Sequence, residues 1–182
     1  MRPTRAIAGW GRVMTAERAL CLHANRACRF TTVRWLFTGV SRLGDGVFWY
    51  VLMLVLPLTQ GRAGAEASLR MAAFALAGLA AYKWVKARTA RPRPCATDAG
   101  IRSATRMLDQ YSFPSGHTLH AVGFTTVAAA HFPALTGALA VLTVLIACSR
   151  VVLGLHYPTD VAMGASMGYA IARGVLEVPV AY

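Results

Sequence analysis

Residues 135–160 read LTGALAVLTVLIACSRVVLGLHYPTD. From Ala138 to Ser149 the stretch holds no charged residue. Arg150 then breaks the run, and His156, Pro158 and Asp160 follow within ten positions. A bilayer span needs about 20 apolar residues. With its flanks, Leu135–Leu155 reaches that length and predicts a membrane helix that delivers polar groups at one end. Pro158 is placed where proline is tolerated, in the first turn of a following helix.

Working outward, four more apolar blocks appear. Trp35–Leu58 is interrupted by Ser41-Arg42-Leu43-Gly44-Asp45-Gly46 and is densest from Val47. The others are Leu69–Val85, Thr118–Phe132 and Val161–Ile171. Gly61–Glu66 and Pro133 mark short connections. None of the blocks carries the broad polar face that a soluble helix bundle needs. Gly164 and Gly168 form a small-xxx-small pair of the kind that lets helices approach closely in lipid, although isolated glycines are common. The expected fold is an all-α, multi-pass transmembrane helical bundle of about five spans. Residues 1–35 form a basic N-terminal arm with an interfacial helix, in which Leu20, Ala24, Ala27 and Cys28 share one face. Residues 36–182 form the membrane-embedded domain.

The composition agrees. The chain of 182 residues is 56% hydrophobic and 14% charged, with a net charge of +12. Mean hydropathy is +0.47. A disordered chain is excluded by that apolar mass. A basic surplus fits either nucleic acid or a membrane protein with basic flanks. Nucleic acid is the poorer choice, because the basic N-terminus offers only Trp10, Phe30 and Trp35 for stacking. Cys21, Cys28, Cys95 and Cys148 lack metal-ligand spacing, and an obligatory disulfide is not expected.

Three segments carry chemistry. They are Lys86-Ala-Arg-Thr-Ala-Arg-Pro-Arg93-Pro94, Pro114-Ser115-Gly116-His117, and Ser149-Arg150 through His156 to Asp160. Each lies at the end of an apolar block. With antiparallel alternation, all three fall on one membrane face. Lys86, Arg93 and Arg150 can hold a dianionic phosphate. Ser115 and Gly116 sit at a helix start, where free N–H groups favour an anion. Asp160 can accept from one ring nitrogen of His156 and leave the other as a nucleophile. His117 is available as proton donor and then acceptor. The set reads as phosphoryl transfer through a phosphohistidine. Asp45 and His120 are further candidates for contact with a head group, against the plainer readings of turn residue and packing residue.

These motifs resemble the type 2 phosphatidic acid phosphatase superfamily, whose pattern is KxxxxxxRP, PSGH and SRxxxxxHxxxD. Every defined position is matched between residues 86 and 160. The register fixes Lys86, because the position seven before Arg91 is Trp84 and the one seven after Lys83 is Ala90. The resemblance implies His156 as nucleophile, Asp160 as its orienting carboxylate and His117 as general acid. It implies that Lys86, Arg93, Ser115, Gly116 and Arg150 bind phosphate, with no metal and no cofactor. The expected activity is metal-independent hydrolysis of a lipid phosphate monoester or diphosphate. Phosphatidic acid, phosphatidylglycerol phosphate, undecaprenyl diphosphate and a lipid A phosphate are candidate substrates. The alternatives are a non-catalytic membrane scaffold or transporter, and a vanadate-dependent haloperoxidase-like enzyme.

The resemblance also implies a bacterial inner-membrane protein whose site faces the exterior. The charge pattern opposes this orientation. Five spans put the N-terminus and the 86–116 loop on one side, and both are Arg-rich, which the positive-inside rule assigns to the cytoplasm. An extra span over residues 16–40 would remove the conflict. It would bury Arg18, Arg26, Arg29 and Arg34, each costing roughly 2.5–3.5 kcal/mol at a span centre.

Overall fold

The structure is a computed structural model that describes residues 5–103, 105 and 109–179, with side chains from residue 12 onward. Arg106, in the basic loop, lies outside the described residues. Among the described residues seven α-helices follow in order: α1 Arg5–Asn25, α2 Thr31–Leu43, α3 Val47–Thr89, α4 Pro94–Thr97, α5 Gly116–His131, α6 Thr136–Val152 and α7 Pro158–Glu177. Short 3-10 turns at Arg26–Arg29 and Pro133–Leu135 join neighbours. The described residues contain no strand.

Helix α3 is two antiparallel arms, 47–60 and 62–89. Gly61 takes φ 56° and ψ −130° at the break. The hydroxyl of Ser68 donates to the Met53 carbonyl across the hairpin at 2.7 Å. A Cβ on Gly64 would stand 2.0 Å from the Leu56 carbonyl oxygen, so only glycine permits that crossing.

The second arm of α3, α5, α6 and α7 form the bundle around the core. Trp49, Met71, Phe74, Leu119, Phe124, Val127 and Ile146 fill it. Phe124 stacks on Trp49 at 5.1 Å and meets Phe74 edge-on at 5.2 Å. Helices α5 and α7 touch backbone to backbone. A Cβ on Gly164 would lie 2.5 Å from the Ser115 carbonyl, and one on Gly168 would lie 2.3 Å from that of Leu119. The small-xxx-small pair therefore packs as expected.

Outside this core the surface is apolar. Leu58 is 78% exposed, Leu76 72% and Val141 62%. Soluble monomers rarely leave so much contiguous apolar surface uncovered. Pro133–Val152 is long and apolar enough to cross a membrane by itself, with mean hydropathy 2.1. Thr31–Leu43 and Val47–Thr97 pass that test as a pair bent by 49°.

Helix α1 turns a polar face inward. Glu17, Cys21 and Asn25 are buried, while Leu20 is exposed. The reason is its neighbour, which is the polar end of the bundle and not the apolar core. The Asn25 amide donates to the carbonyls of Arg102 and Val152 at 3.0 and 2.9 Å, and its oxygen accepts from the Arg102 N–H at 2.9 Å. Arg18 pairs with Asp98 at 2.6 Å.

Candidate active site

The chain alternation brings five segments to one end of the bundle: the 44–46 turn, the end of α3, residues 90–103 and 109–115 of the following loop, the start of α5 and the α6–α7 connection. A cavity of about 560 Å³ opens there. Lys86, Arg93, Gly116, His117, Arg150 and His156 are among its walls, with Asp45 and Asp109. Of the eight sequence-predicted residues, Ser115 and Asp160 lie just behind that wall, fully buried.

The α6–α7 connection shapes the histidine. Gly154 adopts φ +72°, where a Cβ would meet Ile101 at 2.6 Å. The N–H groups of Leu155 and His156 both return to the Arg150 carbonyl, at 3.0 and 3.1 Å. The chain thus doubles back and points His156 into the bundle, where it is 2% exposed. Its Nδ1 lies 2.6 Å from the Ser112 carbonyl oxygen, which can only accept. Its Nε2 lies 3.2 Å from Arg93 Nη1, which can only donate. The hydrogen-bond partners therefore fix one tautomer, with the proton on Nδ1 and a lone pair on Nε2. Burial, reinforced by Arg150, Arg93 and Lys86, holds this ring well below the usual histidine range. It is neutral at neutral pH.

Asp160 occupies the third position of α7. Its Oδ2 accepts from the Tyr157 N–H at 2.8 Å, and its Oδ1 from Arg91 Nη1 at 2.7 Å. The distance from His156 Nδ1 to Asp160 Oδ2 is 3.7 Å. The direct ring contact anticipated for Asp160 is thus made by Ser112, and the carboxylate holds the turn beside the ring. Arg91 also binds Glu17 of α1, whose other oxygen accepts from the Thr159 hydroxyl at 2.5 Å.

At the start of α5, the Ser115 N–H donates to the Asp160 carbonyl at 3.0 Å, which ties this helix to α7. The Ser115 and Thr118 hydroxyls are 3.0 Å apart. The first intrahelical bond is Leu119 N–H to Ser115 carbonyl. The N–H groups before it are the unpaired donors of a helix N-terminus. A Cβ on Gly116 would crowd the Tyr82 ring at 3.1 Å. His117 Nε2 lies 2.5 Å from Asp45 Oδ1, a contact spanning 72 positions of sequence. His120 gives Nδ1 to the Gly116 carbonyl at 2.8 Å and packs against Phe74 and Phe124.

The three cations surround the cavity. Arg150 is 4% exposed. One of its Nη groups donates to the Ser41 hydroxyl, while its buried Nε makes no hydrogen bond among the described residues. Lys86 Nζ lies 2.7 Å from Asp109 Oδ2. Arg93 Nη2 lies 2.6 Å from Asp109 Oδ1.

Sequence reasoning missed Ser112, Arg91, Glu17 and Asp109. Only Asp109 left a signal, as one of two acids in an otherwise basic loop. Asp45, by sequence a candidate for head-group contact, pairs with His117.

The cavity continues beyond the polar groups. Trp49, Tyr50, Met53, Leu76 and Leu79, from the two arms of α3, extend its walls. Tyr50 and Leu76 are largely exposed on the apolar exterior. The cavity therefore opens sideways, onto the apolar exterior.

Comparison with known proteins agrees with the motifs. The sequence model of the PAP2 superfamily matches residues 67–181. A PAP2-type phosphatidylglycerolphosphate phosphatase from Bacillus subtilis has a similar structure, with TM-score 0.70 and 24% identity, covering 91% of this chain and 85% of that one. LpxE from Aquifex aeolicus gives TM-score 0.71 and 24% identity, covering 88% and 94%.

Proposed function

The chain belongs to the PAP2 superfamily, the type 2 phosphatidic acid phosphatases, and from that premise we propose that it hydrolyses a lipid phosphate monoester or diphosphate through a phosphohistidine on His156. It is an integral membrane phosphoric ester hydrolase. The observation that carries the mechanism is the His156 tautomer, a neutral ring with its Nε2 lone pair turned toward Lys86, Arg93 and Arg150.

In the first step Nε2 attacks phosphorus. The P–N bond forms as the bond to the lipid oxygen breaks, and His117 gives that oxygen its proton. In the second step neutral His117 takes a proton from water, whose oxygen attacks phosphorus. The P–N bond breaks and inorganic phosphate leaves. The equatorial oxygens are stabilised by Lys86, Arg93 and Arg150, with the N–H groups at Ser115 and Gly116. Asp160 orients the nucleophile by fixing the 156–160 turn, and Asp45 holds His117. No step calls on a metal or cofactor.

The apolar extension between the arms of α3 suits an acyl or prenyl chain. Phosphatidic acid, phosphatidylglycerol phosphate, undecaprenyl diphosphate and a lipid A phosphate all present such chains. The named substrate of the Bacillus subtilis relative puts phosphatidylglycerol phosphate first among those to assay. Residues 36–182 form the membrane domain, in a bacterial inner membrane with the site facing outward. The segment 1–35 is a basic arm whose helix α1 is interfacial, as its exposed Met14 and Leu20 beside Arg12 and Arg26 suit a headgroup layer.

The test is phosphate release from a panel of these lipids in detergent. Turnover is expected with the wild-type chain and none with His156→Ala that still inserts in membranes. Labelled substrate traps an acid-labile phosphoenzyme in the wild type, and vanadate inhibits. Retained turnover in the His156→Ala protein refutes the nucleophile. Absence of release from every lipid favours a scaffold or transporter, and vanadate-supported halide oxidation favours the haloperoxidase reading.

A further inference from the structure

Two of the three cations that line the phosphate position are already bound to an anion. Asp109 Oδ2 accepts from Lys86 Nζ at 2.7 Å and from the Tyr82 hydroxyl at 3.0 Å. Its Oδ1 accepts from Arg93 Nη2 at 2.6 Å. Its backbone carbonyl takes Arg93 Nε at 3.1 Å. The remaining Arg93 nitrogen, Nη1, donates to the Leu155 carbonyl and lies against His156 Nε2. Every donor group of Arg93 is thus committed, one of them to the lone pair that must attack phosphorus.

Phosphate and this carboxylate present the same chemistry to the cations, namely oxygens held by charge-assisted hydrogen bonds. A dianionic phosphate beside an ionised Asp109 would also meet like-charge repulsion at short range. Burial pushes the Asp109 carboxyl up, but Lys86 and Arg93 outweigh it and keep the group below the usual range, hence ionised. The side chain is 32% exposed, so solvent is within reach when it lets go.

We infer that Asp109 is a resident competing anion: it occupies the Lys86–Arg93 pair, phosphate must displace it, and its departure frees Arg93 from His156. This rests on the assignment of Lys86 and Arg93 to phosphate made above. Asp109 then sets how strongly the site holds phosphate, free product included. When the binding-competent state is a fraction of the population, apparent affinity falls by that fraction.

The experiment measures binding of inorganic phosphate and of vanadate to the detergent-solubilised full chain by calorimetry, apart from turnover. Asp109→Asn and Asp109→Ala are expected to bind both about tenfold more tightly than wild type. Asp109→Glu, which keeps the charge, is expected to stay near wild type. In the wild type, amide exchange at Gln110 and Tyr111 is expected to speed up when vanadate is added. That readout stands if the variants fail to fold. Unchanged or weaker binding in the neutral variants, or slower exchange at those amides, overturns the inference and leaves the phosphatase reading intact. If neither the wild type nor any variant binds phosphate or vanadate, the phosphate site itself is wrong and the inference falls with it.

Discussion

A carbonyl, a guanidinium and one turn decide the state of His156. Ser112 fixes its proton on Nδ1 and Arg93 faces the lone pair, so the proposed nucleophile needs no base to activate it. His117 differs in having a carboxylate partner, Asp45, at 2.5 Å. Asp45 engages one ring nitrogen and leaves the other for proton transfer to the leaving oxygen, the task of a general acid. A lipid alkoxide is a poor leaving group and needs that proton, whereas an aryl phosphate releases a stable phenolate. Asp45→Asn is therefore expected to lower kcat on a lipid phosphate by roughly 10²-fold, and to lower kcat on p-nitrophenyl phosphate much less. Equal losses on both substrates would show that Asp45 merely supports the fold. The eight motif residues were legible because residue type and spacing coincide with block ends. The partnerships of Asp45 and Asp109 were not. They join positions 72 and 23 apart through tertiary approach, and neither has a spacing rule.

Among the elements, α5 and α7 set the dimensions of the site. Their contact at Gly164 and Gly168 leaves no space for a methyl group, because the atoms it would meet are backbone. Gly168→Ala must push the helices apart, at a cost of about 1–3 kcal/mol. The same displacement loosens the Ser115–Asp160 bond one turn and more away. Thermal unfolding in detergent is expected at lower temperature, with kcat reduced although the substitution touches no site residue. Gly174 is the control: a Cβ there meets nothing within 4 Å, and Gly174→Ala is expected to leave both quantities unchanged or raise stability slightly. A reversed order would undo this account of the interface. The sequence marked this glycine pair. The inward face of α1 is less legible because it is polar: Glu17, Cys21 and Asn25 are buried against the rim of the bundle, and only tertiary contacts select them.

For the whole molecule, the apolar exterior and the gathering of charge at one end define a polarised body. Number and order of the apolar blocks made that arrangement legible. The side of the membrane was not, because Arg here both counts as a topology signal and lines the cavity or pairs with acids. Arg93 and Arg150 face the cavity, and Arg91 and Arg18 are in ion pairs with Asp160, Glu17 and Asp98. Charges committed in this way weaken the count on which the positive-inside rule depends. With the site outward, Arg102→Cys is expected to react with a membrane-impermeant maleimide in intact cells, above the background of the native cysteines. Gly137→Cys, at the opposite end, is expected to react only after permeabilisation. The opposite pattern places the site in the cytoplasm.

The sideways opening between the arms of α3 has a kinetic consequence. Tyr50 and Leu76 bring the mouth of the cavity to the apolar surface, so the proposed lipid substrate is expected to arrive by diffusing within the membrane plane. The concentration that governs saturation is then a surface one, the mole fraction of lipid phosphate in the leaflet or micelle. Diluting the substrate with neutral lipid slows the enzyme even when the amount per litre is unchanged.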